Sequence, residues 1–163
     1  MPSSNHLQKM QKLDVHCVSQ SIFLKELGKN FAEYLEEERL NNLYPYRKVL
    51  SSDINLALSS DAPVVKDFDP ITGIKAAMFR KDNDGNIIGA DETITLQQAI
   101  YAYTMGGAKA NGSSRFNGSI EIGKQADFIL LNKKLETSIR EDEDVQVVST
   151  WINGEKVYDA CDK

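Results

Sequence analysis

Residues 54–64 read INLALSSDAPV, a strand-like apolar run that ends in two serines and an aspartate before Ala62-Pro63. A carboxylate at a strand end has two uses. It closes a turn through its own oxygens, or it takes up a proton or a cation where strands open into a cleft. Local sequence fits both for Asp61. Ser59 and Ser60 bring hydroxyls, but there is no G-x-S-x-G elbow and no histidine at a suggestive spacing, which sets a serine hydrolase aside. Asp69 stands directly before Pro70 and reads as a helix cap, and Asp67 lies close enough to support a neighbouring group. The chain holds two histidines, His6 and His16, and two cysteines, Cys17 and Cys161. The cysteines have neither metal-ligand nor disulfide spacing: Cys17 reads as a small core residue and Cys161 as part of a polar tail.

The bulk numbers bound the partners. With 163 residues, 41% apolar and 26% charged, the chain can build a real core. A net charge of −5 without clustered Lys and Arg argues against nucleic acid, because Lys124 and the Lys133-Lys134 pair stand alone. The opening MPSSNHLQKMQK lacks an apolar signal core and no stretch is long enough to span a bilayer. The expected setting is therefore cytoplasmic, with no membrane partner.

The elements that must position Asp61 follow from periodicity. Ser3-Ser4-Asn5 with Leu7, Met10 and Leu13 predicts a capped short helix. VHCVSQSIFL (15–24) reads as a strand, and residues 30–50 carry helical spacing through Phe31, Leu35 and Leu40 until Pro45. INLALSS is a second, nearly all-apolar strand of the parallel kind. DPITGIKAAMFR predicts a helix capped by Asp69, and KDNDGNIIGADE is turn chemistry. Thr95 and Gln98 form a capping box for a helix burying Ile100, Tyr103 and Ala108 and ending at Asn111-Gly112. Gly106-Gly107 inside it implies close approach to another backbone. From residue 117 the pattern is β-rich, with a strand at Ser119 to Glu121, a Gly123 turn, a strand at Asp127 to Leu131, an acidic loop or strand edge TSIREDED, and a hairpin turning at Asn153-Gly154. The organisation is α/β over 1–115 and β over 116–163.

NGSIEIGKQADFILLN (117–132) resembles the C-terminal signature of the amidohydrolase superfamily. LALSSDAPV, DPITGIKAAMFR, TLQQAIYAYTMGGAKANG and VVSTWINGEKVYD continue the likeness in the family's order, which is closest to the subgroup that includes N-substituted formamide deformylases. The resemblance implies the last strands and helices of a (β/α)8 barrel, followed by part of a small β-sandwich. It implies that Asp61 ends the eighth barrel strand, where the family's aspartate binds the catalytic metal or holds the attacking water as a general base. It gives Gln20, at the end of the seventh strand, and Arg47 roles in contacting a small-molecule substrate; Ser21 stands where the subgroup usually has proline. Structural uses compete with both: a plain strand-end polar residue at 20, a salt bridge at 47.

The same resemblance implies a divalent metal, zinc first among them, held by a His-x-His pair and further single ligands from earlier strands. This chain has no His-x-His, and His6 and His16 read as ordinary residues. The expectation is the C-terminal portion of a hydrolase of amide, formamide or cyclic-amide C–N bonds, inactive and without tight metal on its own. Its open strand edges are expected to drive homo-oligomerisation. The competing expectations are a non-catalytic interaction module and one half of a split enzyme completed by a partner chain.

Overall fold

The structure, a computed structural model, describes residues 2–136 and 139–162. Helix α1 (Ser4–Lys12) begins at Ser3, whose hydroxyl accepts from the His6 backbone while the His6 ring accepts from the Ser3 N–H. That reciprocal cap gives His6 a structural use on an exposed helix end. Strand β1 (Cys17–Ser19) follows, then helices α2 (Ile22–Tyr34), α3 (Glu37–Asn41) and α4 (Tyr46–Ser51). Strand β2 (Leu56–Leu58) pairs in parallel with β1, aligning Cys17 with Leu56 and Ser19 with Leu58.

Helix α5 (Pro70–Phe79) starts as its sequence predicts, with an Asp69 oxygen accepting from the Ile71 N–H at 3.0 Å and Pro70 at the first helical position. The turn-rich segment after it closes on the Asp82 carboxylate, which accepts the N–H groups of Asp84 and Asn86. Helix α6 (Leu96–Tyr103) carries the full Thr95–Gln98 capping box, and α7 (Met105–Ala110) continues after a break at Thr104. The described tail is a three-stranded antiparallel sheet of β3 (Phe128–Leu131), β4 (Val147–Ile152) and β5 (Glu155–Asp159), in that order. Phe128 and Trp151 stack across β3 and β4 at 5.5 Å.

The core joins α/β body and tail. Leu24, Tyr46, Val49, Leu56, Leu58, Ile74, Ala99 and Ala102 share one cluster with Ile139 and Val145 from the β3–β4 connection. Burial of these side chains supplies the main driving force for folding, at about 25 cal/mol per Å² of apolar surface.

Four sequence expectations need correction. The 15–24 strand is only β1; from Ile22 the chain is helical, and Ile22 and Leu24 are fully buried in α2. A short apolar run fits a strand and a buried helix equally well, so periodicity could not separate them. The helical segment assigned to 30–50 is three helices, the first starting eight residues earlier, at Ile22. In α6 the fully buried face is Leu96, Ala99 and Ala102, with Ile100 and Tyr103 only half-buried. Ser119 to Glu121 does not form a strand; no described strand lies against it, and Ile120 and Ile122 stand in solvent. The acidic stretch expected as a loop begins at residues 137 and 138, outside the described residues, and from Ile139 it is loop.

The closing hairpin follows its sequence. Asn153 and Gly154 both take positive φ, 53° and 80°, as a two-residue type I′ turn requires. Asp127 accepts the Asn153 N–H at 2.7 Å and holds the turn against the start of β3. Gly154→Ala is expected to cost about 1 kcal/mol. The nearest atom to an added Cβ is 3.9 Å away, so the cost is backbone strain rather than collision, measurable as a lower urea midpoint at unchanged slope.

Candidate functional site

Because β1 and β2 are parallel neighbours, their carboxyl ends open on one edge. The Ser59 N–H donates to the Ser19 carbonyl at 2.9 Å, the last rung of the pair. Gln20 leaves β1 there, and Ser59, Ser60 and Asp61 leave β2 beside it.

Asp61 has φ +54° and is exposed. Its backbone carbonyl accepts the Val64 N–H at 3.0 Å, closing a turn around the cis Ala62–Pro63 bond. The turn is thus made by the main chain, and among the described residues the Asp61 carboxylate has no hydrogen-bond partner. Gln20 is half-buried, and its carbonyl receives the Phe23 N–H at 3.3 Å as α2 begins.

Arg47 projects from the exposed side of α4 and has no ion pair among the described residues, so the structural salt bridge weighed against a substrate role is not formed. Its neighbours are firmly held. Tyr46 is 1% exposed, and its hydroxyl lies 3.3 Å from Ser19 Oγ at the end of β1. Burial pushes the Tyr46 phenol far above its ordinary value, so it stays neutral. Glu92, also 1% exposed, receives the Lys48 N–H at 3.1 Å and pairs with Lys48 Nζ at 3.0 Å. A carboxylate from a distant 3-10 turn (Ala90–Glu92) therefore caps the first turn of α4, where the local N-cap, Pro45, has no side-chain acceptor to do so.

Arg80 completes this support and escaped the sequence reading, which saw only a helix tail. It sits in the left-handed region at φ +54° with no exposure. Its guanidinium donates to the carbonyls of Ile88 (2.7 Å), Leu43 (2.7 Å), Tyr44 (3.2 Å) and Glu92 (3.5 Å), and lies 5.6 Å from the Tyr46 ring centre. A basic residue at a helix end ordinarily signals only a favourable dipole contact, so no local pattern marks this one.

Other polar residues have structural uses. Lys124 Nζ donates to Ser119 Oγ, and Asp67 accepts the Asp69 N–H at 2.9 Å. His16 is half-buried beside the start of β1. A groove of about 630 Å³ lies between α2, α5 and residues 141–142, lined by lysines and acids, of which Lys81 pairs with Glu141 at 2.7 Å. Among the described residues no three His, Cys, Asp or Glu side chains converge as a metal site would need, so these residues do not by themselves fit a metal centre. No described helix is long and apolar enough to cross a membrane.

The amidohydrolase family pattern matches residues 7–158. The N-substituted formamide deformylase of Arthrobacter pascens is 27% identical over 154 residues, covering 93% of this chain and 28% of its own length. A metal-dependent hydrolase of Pyrococcus horikoshii OT3 superposes with a TM-score of 0.66 at 24% identity, over 76% of this chain and 25% of that one. An amidohydrolase of Thermotoga maritima MSB8 superposes with a TM-score of 0.63 at 19% identity, over 94% of this chain and 34% of that one. At such identities the two structures establish the fold alone. The chain thus spans about a quarter to a third of the length of these relatives. With parallel strands opening at one edge, an antiparallel tail sheet, and the pattern running nearly end to end, this chain belongs to the amidohydrolase family.

Proposed function

We infer that this chain is the C-terminal portion of a metal-dependent hydrolase of C–N bonds in amides, formamides or cyclic amides. Residues 1–115 correspond to the last strands and helices of a (β/α)8 barrel, and 116–163 to part of a β-sandwich. The observation that carries the reading is the shared edge: Asp61, with a carboxylate not spent on the turn, and Gln20 emerge at the carboxyl ends of adjacent parallel strands. Barrel active sites gather at that end.

Asp61 then serves as a metal ligand or as the base for a water, Gln20 and Arg47 contact the small-molecule substrate, and the remaining ligands to a divalent ion, zinc first among them, come from outside this sequence. By itself the chain is inactive and forms homo-oligomers through the outer edge of β1, where Val18 and, just before the strand, Val15 are exposed, and through Ile120 and Ile122.

The test is elemental analysis of the purified chain combined with light scattering on a sizing column. An oligomer with no stoichiometric metal is the expected result, and a monomer holding one tight divalent ion overturns it. In the complete hydrolase, Asp61→Asn is expected to lower kcat/KM at least a thousandfold with the fold intact; a variant within tenfold of the parent removes Asp61 from the chemistry.

A further inference from the structure

The groove between α2, α5 and residues 141–142 shares no residue with the strand edge: none of Gln20, Arg47 and Asp61 lines it. Its volume of about 630 Å³ is that of an ordinary small-molecule site. Ala76 and Phe79 give it an apolar wall, the first buried and the second packed against the core. Lys25 enters from α2, Lys75 from α5 and Lys81 from just beyond the end of α5, and all three are half-buried. Gathering three ammonium groups at one groove is costly unless negative charge offsets them.

The chain offsets them only in part, although its net charge is −5. Lys75 Nζ donates to the backbone carbonyls of Glu141 (3.1 Å) and Glu143, which take two of its protons but not its charge. An ammonium has three donors, so one N–H of Lys75 is left over. Lys25 has only Asp67, at a long 3.8 Å. Of the two acids on the groove wall, Asp142 is drawn to Arg140 at 3.4 Å. That leaves Glu141, whose Oε2 receives Lys81 Nζ at 2.7 Å. A carboxylate on an exposed loop residue is thus already seated against this lysine wall. It stands in for an anion from outside.

We propose that the groove binds a small organic carboxylate with an apolar body. The carboxylate takes Lys81 in exchange for Glu141 and accepts the spare N–H of Lys75, while the body lies on Ala76 and Phe79. The exchange is mild for the chain. Glu141 returns to water, and Lys81 is never left without a partner. Lys75 can keep both loop carbonyls throughout.

The test is isothermal titration calorimetry of the 163-residue chain with 1-naphthoate and, separately, with 1-naphthylmethylammonium, its opposite in charge. Saturable binding of naphthoate at one site per chain is expected, with none of the ammonium compound. Lys75→Gln should weaken naphthoate binding about tenfold, the worth of one charge-assisted hydrogen bond. Glu141→Gln removes the internal competitor and should tighten it about threefold, the scale of an exposed ion pair. A variant that merely loosened the fold would not bind better, so the two substitutions separate the site from stability. Naphthoate that fails to saturate the chain at millimolar concentration overturns the proposal. So does equal binding of the ammonium compound, because the attraction is then apolar alone. An affinity that both substitutions leave unchanged overturns it as well, since the naphthoate then sits elsewhere, as on the exposed Ile120 and Ile122.

Discussion

Arg80→Met is expected to lower the stability of this chain by about 4 kcal/mol, more than loss of any other single polar side chain. The arithmetic rests on what the guanidinium satisfies. Its donors reach the carbonyls of Ile88 and Leu43 at 2.7 Å each and that of Tyr44 at 3.2 Å, in a place with no solvent exposure. A buried carbonyl left without a donor costs about 1–3 kcal/mol, and methionine supplies none. Methionine keeps the volume and keeps a Cβ at φ +54°, so the backbone term is unchanged and the loss reports on the hydrogen bonds. Burial lowers the guanidinium's pKa, with Tyr46 and Glu92 opposing, so the buried cation carries a desolvation cost that substitution by methionine relieves. That relief caps the net effect well below the sum of the individual bonds. Arg80→Lys should recover less than half, because an ammonium cannot reach three carbonyls with a planar fork. The measurement is a urea titration. An unfolding free energy for Arg80→Met within about 1 kcal/mol of wild type would mean that water replaces the guanidinium.

What Arg80 holds also marks where the sequence is readable. Three helix starts announce themselves locally: Ser3, Asp69 and Thr95 each cap within three residues, and all three caps form. The Asn153-Gly154 hairpin is equally local. The family resemblance puts Asp61 and Gln20 at the ends of neighbouring strands, whereas periodicity alone runs the first strand on to Leu24 and leaves Gln20 inside it. The supports of that edge are not local. Arg80 reaches back 37 residues to Leu43, Glu92 reaches 44 to Lys48, and Tyr103 reaches 82 to Ser21. No spacing rule connects such pairs; only the fold does. The unrealised strand at Ser119 to Glu121 shows the complement. Its alternation is right for a strand, but a strand forms only against a neighbour, and none lies beside it among the described residues.

The two adjacent glycines of α7 should respond to alanine in opposite directions. A Cβ on Gly106 would stand 2.2 Å from the Leu56 carbonyl oxygen and 3.1 Å from that of Tyr101. Both are backbone atoms and cannot rotate away as a side chain could. To admit the methyl, α7 must lift from β2, which also breaks the bond from Asn55 Nδ2 to the Gly106 carbonyl at 3.0 Å. The expected loss is about 3 kcal/mol, the upper end for overpacking, or a fall in Tm of roughly 6–12 °C for a chain of this size. Gly107 faces open space, with nothing within 4 Å of an added Cβ. There alanine brings only its better helix propensity and a less disordered unfolded chain, so Gly107→Ala should gain about 0.5–1 kcal/mol. Differential scanning calorimetry of both variants makes the comparison within one helix turn. If the two shift Tm in the same direction, α7 does not lie against β2 as described, and the support of the strand that carries Asp61 must be drawn differently. If they diverge, the small residue at 106 is what lets the helix seat β2, and through it fixes where the aspartate leaves the sheet.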